Sequence, residues 1–500
     1  KGTTKGSVTG LDGEFSIANA SKGATIIISY IGYVSQEKVW NGKAMKIVLE
    51  EDSKALDEVV VVGYGTTSKR KTTSAISQVK AEDIAKVPVP NITQSLAGRA
   101  PGLIVTQSGG GVNAKASVSI RGGGTPLYVI DNVICEQRDF QNLNPEDIAQ
   151  MSILKDASAT AVYGARAANG VVIVTTKRGR EGKAVVNYSY NYSYQHYSDK
   201  YDVLSLRDWM IEKNKSSWEY WIWENEVGPW GTKTLEAALA APKGGLAYTR
   251  PYTDAQIAAA GEGTDWVGLI TRNGHVQEHN LSIQGGSKDT QYMISLNYYD
   301  NKGIIRNSGM SRYTLKSNID QRFLNVFKAG VNLTLTRIDN DNTQLGSAQY
   351  EKSGIIRSAV QMGPNILAYD PATGTYPVNP LLGTQPNPYS LLNNIDKGRT
   401  DRFLGNIYVE ARPIDGLTLR VNAGLDRANI SRKTYEPKST LYGRNLQGNA
   451  DIYTRDNNQY LLEATATYAK TFKDIHKVNL LAGTSYEQFN VESVNSGNNN

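Results

Sequence analysis

Four histidines, His196, His275, His279 and His476, are the only imidazoles in this 500-residue chain, and they are the first place to look for a general base or a metal ligand. His275 and His279 have ligand spacing for a helix, but they fall in a stretch that reads as strand, where four residues span about 13 Å. No nucleophile or carboxylate pattern accompanies them, so the sequence offers no catalytic residue and no metal site. Cys135, the single cysteine, has no internal disulfide partner and no second thiol for zinc, and it reads as a small buried apolar residue. The glycines at 109–111 and 122–124 lack the Gly-Lys-Ser/Thr or Gly-x-Gly-x-x-Gly context of a phosphate loop, so no nucleotide or other cofactor is implied. Asp339-Asn340-Asp341-Asn342 has the oxygen donors of a calcium loop, although a solvated turn suits the same residues.

Aromatic chemistry is more promising. Five of the seven tryptophans (Trp209, Trp218, Trp221, Trp223 and Trp230) crowd into one segment. Exposed beside a polar passage, rings such as Trp218, Trp221 and Trp223 would be stacking platforms for the apolar faces of sugars. The competing reading is a helical insertion packing its own core, because Trp218, Trp221 and Leu206 with Trp209 also fit helical spacing.

Composition limits the partners. The 54 basic and 48 acidic residues are scattered, and no basic tract is interleaved with aromatics, which argues against nucleic acid. Apolar runs such as Val59 to Val62 fall far short of the roughly 18–20 residues that a membrane-crossing helix needs. A β-barrel remains open, because its lipid face uses alternate residues and tolerates a mean hydropathy of −0.42. Abundant tyrosine (29) and a glycine count (47) far above proline (16) suit strands with wet ends and tight turns.

From Lys183 onward the period is two, which sends alternate side chains to opposite faces. Ala184, Val186, Tyr188, Tyr190, Tyr192 and Tyr194 share one face, and Asn187, Ser189, Asn191, Ser193 and Gln195 the other. The same split begins again near His279, Tyr292, Tyr313, Phe327, Phe403, Leu417, Tyr460 and Val478, giving nine strands. Their connections alternate between long (near 196–275, 340–399 and 431–455, with a medium loop at 301–309) and short (285–289, near Asn325, 413–416, and Lys473-Asp474). Up-and-down outer-membrane barrels have this asymmetry, with long loops outside and short turns in the periplasm. Nine strands leave an open edge that lipid does not tolerate, so the remaining strands are expected beyond Asn500, toward the roughly 22 of plugged transporters. A start at Lys1 with no signal segment also reads as a fragment.

The first part of the chain is organised differently. Residues 1–52 carry short apolar runs (Ser7 to Thr9, Glu14 to Ile17, Ala24 to Tyr30, Met45 to Leu49) split by glycine turns, as in a small β-sandwich truncated at its start. Residues 53–66 read as a linker. Residues 67–181 mix strand-like runs (Pro126 to Ile130, Gly170 to Thr176) with helical candidates (Ala81 to Lys86, Ile92 to Ala97, Pro145 to Met151), an α+β unit. Residues 182–500 are the first part of the barrel.

Within that frame the motifs become specific. Leu56-Asp57-Glu58-Val59-Val60-Val61-Val62-Gly63-Tyr64-Gly65 resembles the TonB box of SusC/RagA-type TonB-linked transporters. Ser119-Ile120-Arg121-Gly122-Gly123-Gly124, then Pro126 to Asp131, is similar to the family's plug signature. So are Pro145 to Ile148, Leu154-Lys155-Asp156 through Tyr163-Gly164, Ala168-Asn169-Gly170-Val171-Val172, and Thr175-Thr176-Lys177. Asp12 to Phe15 and Tyr30 to Tyr33 resemble the carboxypeptidase-regulatory-like domain ahead of such plugs. Two departures stand out. The chain passes directly from Gly124 to Thr125-Pro126, shortening the plug loop, and Asn132 replaces a glycine at a turn that Asn tolerates.

The resemblance implies a mainly β protein, a large antiparallel transmembrane β-barrel present in part, with an α+β plug and an N-terminal β-sandwich. It implies no enzyme, but active import of a nutrient, an oligosaccharide or less often a peptide, across the outer membrane of a Gram-negative bacterium. Implied partners are TonB with its ExbB/ExbD energising complex, a SusD-like surface lipoprotein and outer-membrane lipid. The competing class is a receptor or adhesin that binds ligand without moving it. Asp57 to Tyr64 would bind TonB by adding a strand to its sheet, or Val59 to Val62 would simply close the preceding domain. Arg121 would pair with carboxylates and hold plug to barrel wall, with Lys155 and Arg166 as further candidates. Gly122, Gly123, Asp131, Tyr163, Gly164, Asn169 and Gly170 complete the plug motif.

Overall fold

The computed structural model describes residues 6–7, 9, 13–18, 20–29, 35–49, 59–62, 65–68, 75–85, 91–156, 160–198, 202–346, 348, 350–472 and 476–499. In chain order the first strands are β1 (Thr25–Ile28), β2 (Gln36–Val39), β3 (Val59–Val62), β4 (Gly65–Ser68), β5 (Ile76–Lys80) and β6 (Leu103–Gln107). Then come β7 (Ala116–Ile120), β8 (Leu127–Ile130), β9 (Val133–Cys135), β10 (Ile148–Leu154) and β11 (Val171–Thr176). The long strands follow: β12 (Gly182–Gln195), β13 (Gly274–Gly286), β14 (Thr290–Lys302), β15 (Gly309–Phe323) and β16 (Phe327–Asp341). The last are β17 (Ile395–Ala411), β18 (Leu417–Glu436), β19 (Asn449–Phe472) and β20 (His476–Asn499).

β12 to β20 form one nine-stranded sheet in which each strand pairs antiparallel with its neighbour in sequence. Its two faces invert the rule for a water-soluble protein. Val331, Ile407 and Val421 are exposed at 44%, 57% and 50%. Asn332, Asn406 and Asn422, one residue along each strand, are buried. The asparagines satisfy one another across the inner face, Asn332 donating to Asn406 at 2.8 Å, Asn406 to Asn422 at 2.8 Å and Asn422 to Glu463 at 3.2 Å. An oily exterior around a hydrogen-bonded polar interior is the solution that hydrocarbon solvent demands.

The connections alternate as the sequence pattern predicts. Short turns join β13 to β14, β15 to β16 and β17 to β18, the longer connections span 196–273, 303–308, 342–394 and 437–448, and the expected turn at Lys473-Asp474 lies outside the described residues. In the turn after β15, Leu324 and Asn325 both take positive φ (54° and 53°), the conformation that matches the twist of a tight hairpin. The longest connections carry helices of their own. That after β12 holds helices Leu206–Glu224, Leu235–Ala240, Asp254–Ala259 and Trp266–Ile270. Trp266, Ile270, Ile305, Ile355, Met362 and Leu391 make a shared apolar core that ties three of these connections together.

Several expectations need correction. β18 and β19 run on to Glu436 and start at Asn449, well into the segment 431–455 expected as loop. A membrane-crossing strand needs only about 9–11 residues, and pairing here goes on beyond the apolar stripe, where Asn429 donates to its partner Asp456. Asp339 to Asp341 likewise ends β16 instead of forming a turn or calcium loop. Alternate side chains diverge there, and Asp339 and Asp341 pair with Arg399 and Lys397. Of the helical candidate Pro145 to Met151, only Pro145–Asp147 is a turn of 3-10 helix, and Ile148 to Met151 belongs to β10. A register shift between Ile148 and Gln150 leaves Ile148 and Met151 buried and the two residues between them more exposed, a spacing of three that breaks the two-residue alternation of a strand. In residues 1–52 the described strands are the hairpin β1–β2, and Glu14 to Ile17 and Met45 to Leu49 carry none.

Ahead of the long strands lies a five-stranded sheet of order β5-β10-β11-β8-β9, with the separate hairpin β6–β7. Its core gathers Ile84, Ile92, Leu96, Tyr128, Phe140 and Met151, and it takes in Leu404 from the inner face of β17. The mixed sheet therefore sits against the inner face of the long-stranded one.

Candidate functional site

The site is the seam between the mixed sheet and the inner face of the long strands. Arg402 on β17 is its centre. The guanidinium grips Asp426 of β18 with two bonds (Nε to Oδ1 2.8 Å, Nη2 to Oδ2 2.7 Å). It also reaches inward, donating to the Asp139 carbonyl at 3.2 Å and standing 3.5 Å from the Asp139 carboxylate and from Cys135 Sγ. Asp139 is positioned by its own helix Gln137–Gln141, where its carboxylate accepts the Glu136 amide in a capping box. All three charged side chains are at least nine-tenths buried, so removing one leaves an uncompensated charge in the interior.

Smaller contacts continue the seam on either side. Asn144 donates to Asn280 on β13 at 3.1 Å, and Asp147 accepts from Ser295 on β14 at 2.6 Å. The Ile134 carbonyl accepts from Gln459 on β19 at 2.6 Å, and Glu136 pairs with Arg455 at 3.3 Å. At the long-loop end, Asn113 donates to the Gly309 carbonyl and the Asn342 side chain. Apart from Leu404 and a few other apolar contacts, the seam is polar. Such a seam fixes position and register, yet its groups can be rehydrated one by one when it opens.

The residues singled out in the sequence divide sharply. Arg166 crosses the seam, pairing with Glu487 of β20 and lying 5.1 Å from the Phe489 ring centre. Arg121 closes instead on Asp156 of the mixed-sheet unit (2.7 Å) and on the Lys155 carbonyl, correcting the expectation that it grips a wall carboxylate. Its backbone is turned inward by positive φ at Arg121 and Gly122 (53° and 76°), which keeps it within reach of Asp156. Lys155 also stays inside the unit, on Ser77 Oγ and the Pro101 carbonyl. The Ala75 amide and the Arg121 guanidinium hold the Asp156 carboxyl below the usual carboxylate range. Burial, with Arg121 nearby, holds the Lys155 amine below its usual range.

The remaining motif positions are steric and turn devices. Asp131 (φ 47°) and Asn132 (φ 71°) form the turn from β8 to β9, so Asn at 132 does what glycine would. The Asp131 carboxylate accepts the Thr176 amide at 3.0 Å and its hydroxyl. Gly170 (φ 93°) has no room for a Cβ, which would stand 2.7 Å from Ile120 Cδ1 and 2.9 Å from the Leu154 carbonyl. Asn169 packs on Gly124, and the Gly123 amide returns to the Ile120 carbonyl. Gly164 takes positive φ beside Tyr163, which packs on the second core of the unit.

Of the expected TonB box, Val59 to Val62 form β3, paired antiparallel with β4. Asp57, Glu58, Gly63 and Tyr64 lie outside the described residues. Trp218 and Trp221 stack on each other (5.4 Å, 8°) and meet Tyr248 edge-on, so their faces are used inside the insertion, as the competing reading had it. Trp223 and Tyr220 remain exposed at 52% and 62%.

The anchors that sequence reasoning missed are Arg402, Asp426, Asp139, Asn144 and Asp147. Arg402 and Asp426 occupy inward positions of two-residue alternation, which marks them as lumenal, but nothing in the linear pattern says which groups they meet.

Comparison with known proteins agrees with this geometry. Residues 68–171 match the TonB-dependent Receptor Plug Domain, and residues 1–61 match the CarboxypepD_reg-like domain. TonB-dependent receptor P3 of Formosa agariphila is 31% identical over 508 residues, covering 99% of this chain and 46% of that protein. TonB-dependent receptor SusC of Bacteroides thetaiotaomicron is 32% identical over 492 residues, covering 90% and 45%. The RagAB peptide importer in its open-open state superposes with a TM-score of 0.68 at 25% identity, over 88% of this chain and 50% of that one. The fold and seam define a plugged barrel of the outer-membrane receptor type. The chain belongs to the SusC/RagA-like TonB-dependent receptors, a family of receptors and transporters. It spans about half the length of the curated relatives it matches.

Proposed function

We propose that the full-length protein imports a nutrient, an oligosaccharide or a peptide, across the outer membrane by TonB-dependent displacement of its plug. The observation that carries the reading is the seam itself, a separately folded unit held inside the curved sheet by paired charges and amides more than by a fused apolar core. A stopper seated in this way blocks passive flow and yet can be shifted without dismantling the wall.

In this mechanism ligand is captured at the outer face, together with a SusD-like lipoprotein. TonB, energised through ExbB/ExbD by the proton gradient, then adds a strand to residues 57–64 and pulls. The pairing of β3 with β4 would release first, and β5, an edge strand of the plug sheet, is the next element on that pulling line. Trp223 with Tyr220, whose faces stay open, is the part of the tryptophan cluster available to a sugar ring. No bond to the cargo is made or broken.

Deleting residues 57–64 from the full-length protein should abolish uptake of the cargo while leaving its binding at the cell surface intact. Unchanged uptake would overturn the coupling.

A further inference from the structure

Resting on the import reading, we infer that the passage opens between the plug and β13–β15, while the plug stays hinged on β17–β19. Hydrogen bonding across the inner wall divides at the same place. One row of direct strand partners runs Asn318, Asn332, Asn406, Asn422 and Glu463. From Asn332 to Glu463 each side chain donates to the next. The ladder stops at Asn318, whose side-chain oxygen and nitrogen both lack a partner among the described residues.

The two rows above, toward the long loops, repeat the break. Lys316 Nζ and the Thr314 hydroxyl are unpartnered on β15, and so is the Asn297 side-chain oxygen on β14. All four residues are at least nine-tenths buried. Asp131 and Asp147 of the plug lie within electrostatic reach of Lys316, yet neither is at ion-pair distance. In the same rows β17–β19 present Arg402, Asp426 and Gln459, and Arg402 and Gln459 bond to the plug. The comparable unpartnered atom on β17–β19 is Arg420 Nε, and its guanidinium lies 4.0 Å over the Tyr408 ring. A cavity of about 670 Å³ lies against β12–β14, lined by Asn144, Asp147 and Lys177 on one side and Asn280 and Ser295 on the other. Ser295 is the direct partner of Lys316, so the cavity adjoins the unpartnered band.

A buried polar group without a partner costs free energy while the plug is seated, and hydration returns that cost when the plug withdraws. The bonds that tie the plug to this side, Asn144 with Asn280 and Asp147 with Ser295, go to neutral wall groups that water can replace. On the far side, parting Arg402 from its carboxylates leaves buried charges uncompensated. The work of opening is therefore least along β13–β15. The direction of pull favours the same side. With the plug sheet ordered β5-β10-β11-β8-β9, force from residues 57–64 arrives at the β5 edge. The opposite edge, β9, meets Arg402 and Gln459 through Cys135 and Ile134. A plug drawn at one edge and held at the other tilts. The slot it uncovers is lined by amides, hydroxyls and an ammonium, which suit a polar, hydrogen-bonding cargo.

The test needs no cargo. The full-length protein is placed in planar lipid bilayers, and urea too dilute to unfold the barrel releases the plug, read as ion conductance. Heat-modifiable gel mobility checks that each variant is a folded barrel. Asp147→Cys with Ser295→Cys locks the proposed opening. Val133→Cys with Gly424→Cys locks the hinge, where a Cβ on Gly424 would stand 3.3 Å from Val133 Cγ2. Oxidising the first pair should abolish the conductance and reduction should restore it, whereas oxidising the second should leave it unchanged. Conductance lost with both locks, kept with both, or lost with the hinge lock alone would overturn the side of opening. Asn318→Leu removes an unpartnered amide and should raise the urea concentration needed, and Asn422→Leu breaks the bonded part of the same row and should lower it. A fall with Asn318→Leu would count equally against the inference. A protein that never conducts short of barrel unfolding has no displaceable plug and would instead overturn the import reading.

Discussion

At the scale of single residues, the account depends on a few groups that cannot be exchanged for their neighbours. Arg402→Met should strand two buried carboxylates, Asp139 and Asp426, and destabilise plug seating by about 3–5 kcal/mol. The urea concentration at which the plug becomes protease-sensitive inside a folded barrel measures this, and adding Asp139→Asn and Asp426→Asn should restore most of the loss. Gly170→Ala combines positive φ with a blocked Cβ and should cost about 1–3 kcal/mol by the same assay. The Arg121–Asp156 pair makes a pH prediction. Because the Asp156 carboxyl is held below its unfolded value, its contribution is fully present above about pH 4 and is lost as pH falls through the lower, folded value. Acid should therefore loosen the start of β5 in the wild type, and Asp156→Asn should be loose already at neutral pH. Hydrogen exchange at Ala75, whose amide Asp156 accepts, reads the difference.

At the scale of elements, the sequence made some things legible and hid others for physical reasons. All nine long strands could be read because each has one face in oil and one in water, and that contrast repeats every second residue. β10 was misread in part because a register shift near its start spaces the buried Ile148 and Met151 by three, as a helix would. The ends of β18 and β19 were set too short because pairing outlasts the apolar stripe once a hairpin leaves the bilayer. Among the plug residues, glycines and turn-formers announced themselves, since positive φ restricts residue type. The partners of arginines did not: of the residues offered as wall anchors, Arg166 meets a wall carboxylate, whereas Arg121 and Lys155 stay within the plug. Which charge meets which depends on how the plug is rotated in the wall, and that is a tertiary property. The tryptophan cluster shows the same limit, since helical spacing and exposed platforms use the same residues until the Trp218–Trp221 stack separates them.

At the scale of the whole molecule, an inverted wall encloses a unit with its own core, and the two surfaces of that wall should respond oppositely to charge. Val331→Arg places a cation on the oily face and should destabilise the barrel by about 2–4 kcal/mol if it lies near the bilayer midplane, measured by guanidinium unfolding into lipid vesicles. Asn332→Asp, one residue away on the polar face, should cost far less. The central claim is that the plug is seated against the inner wall where Asp147 meets Ser295. Cysteines at these two positions in the full-length protein, oxidised in intact outer membranes, give the most direct measurement. The account predicts an efficient intramolecular cross-link, seen as a reducible shift in gel mobility, and no cross-link when the second cysteine is moved to the outward-facing Leu296. Absence of the first cross-link, or equal formation of the second, would contradict it.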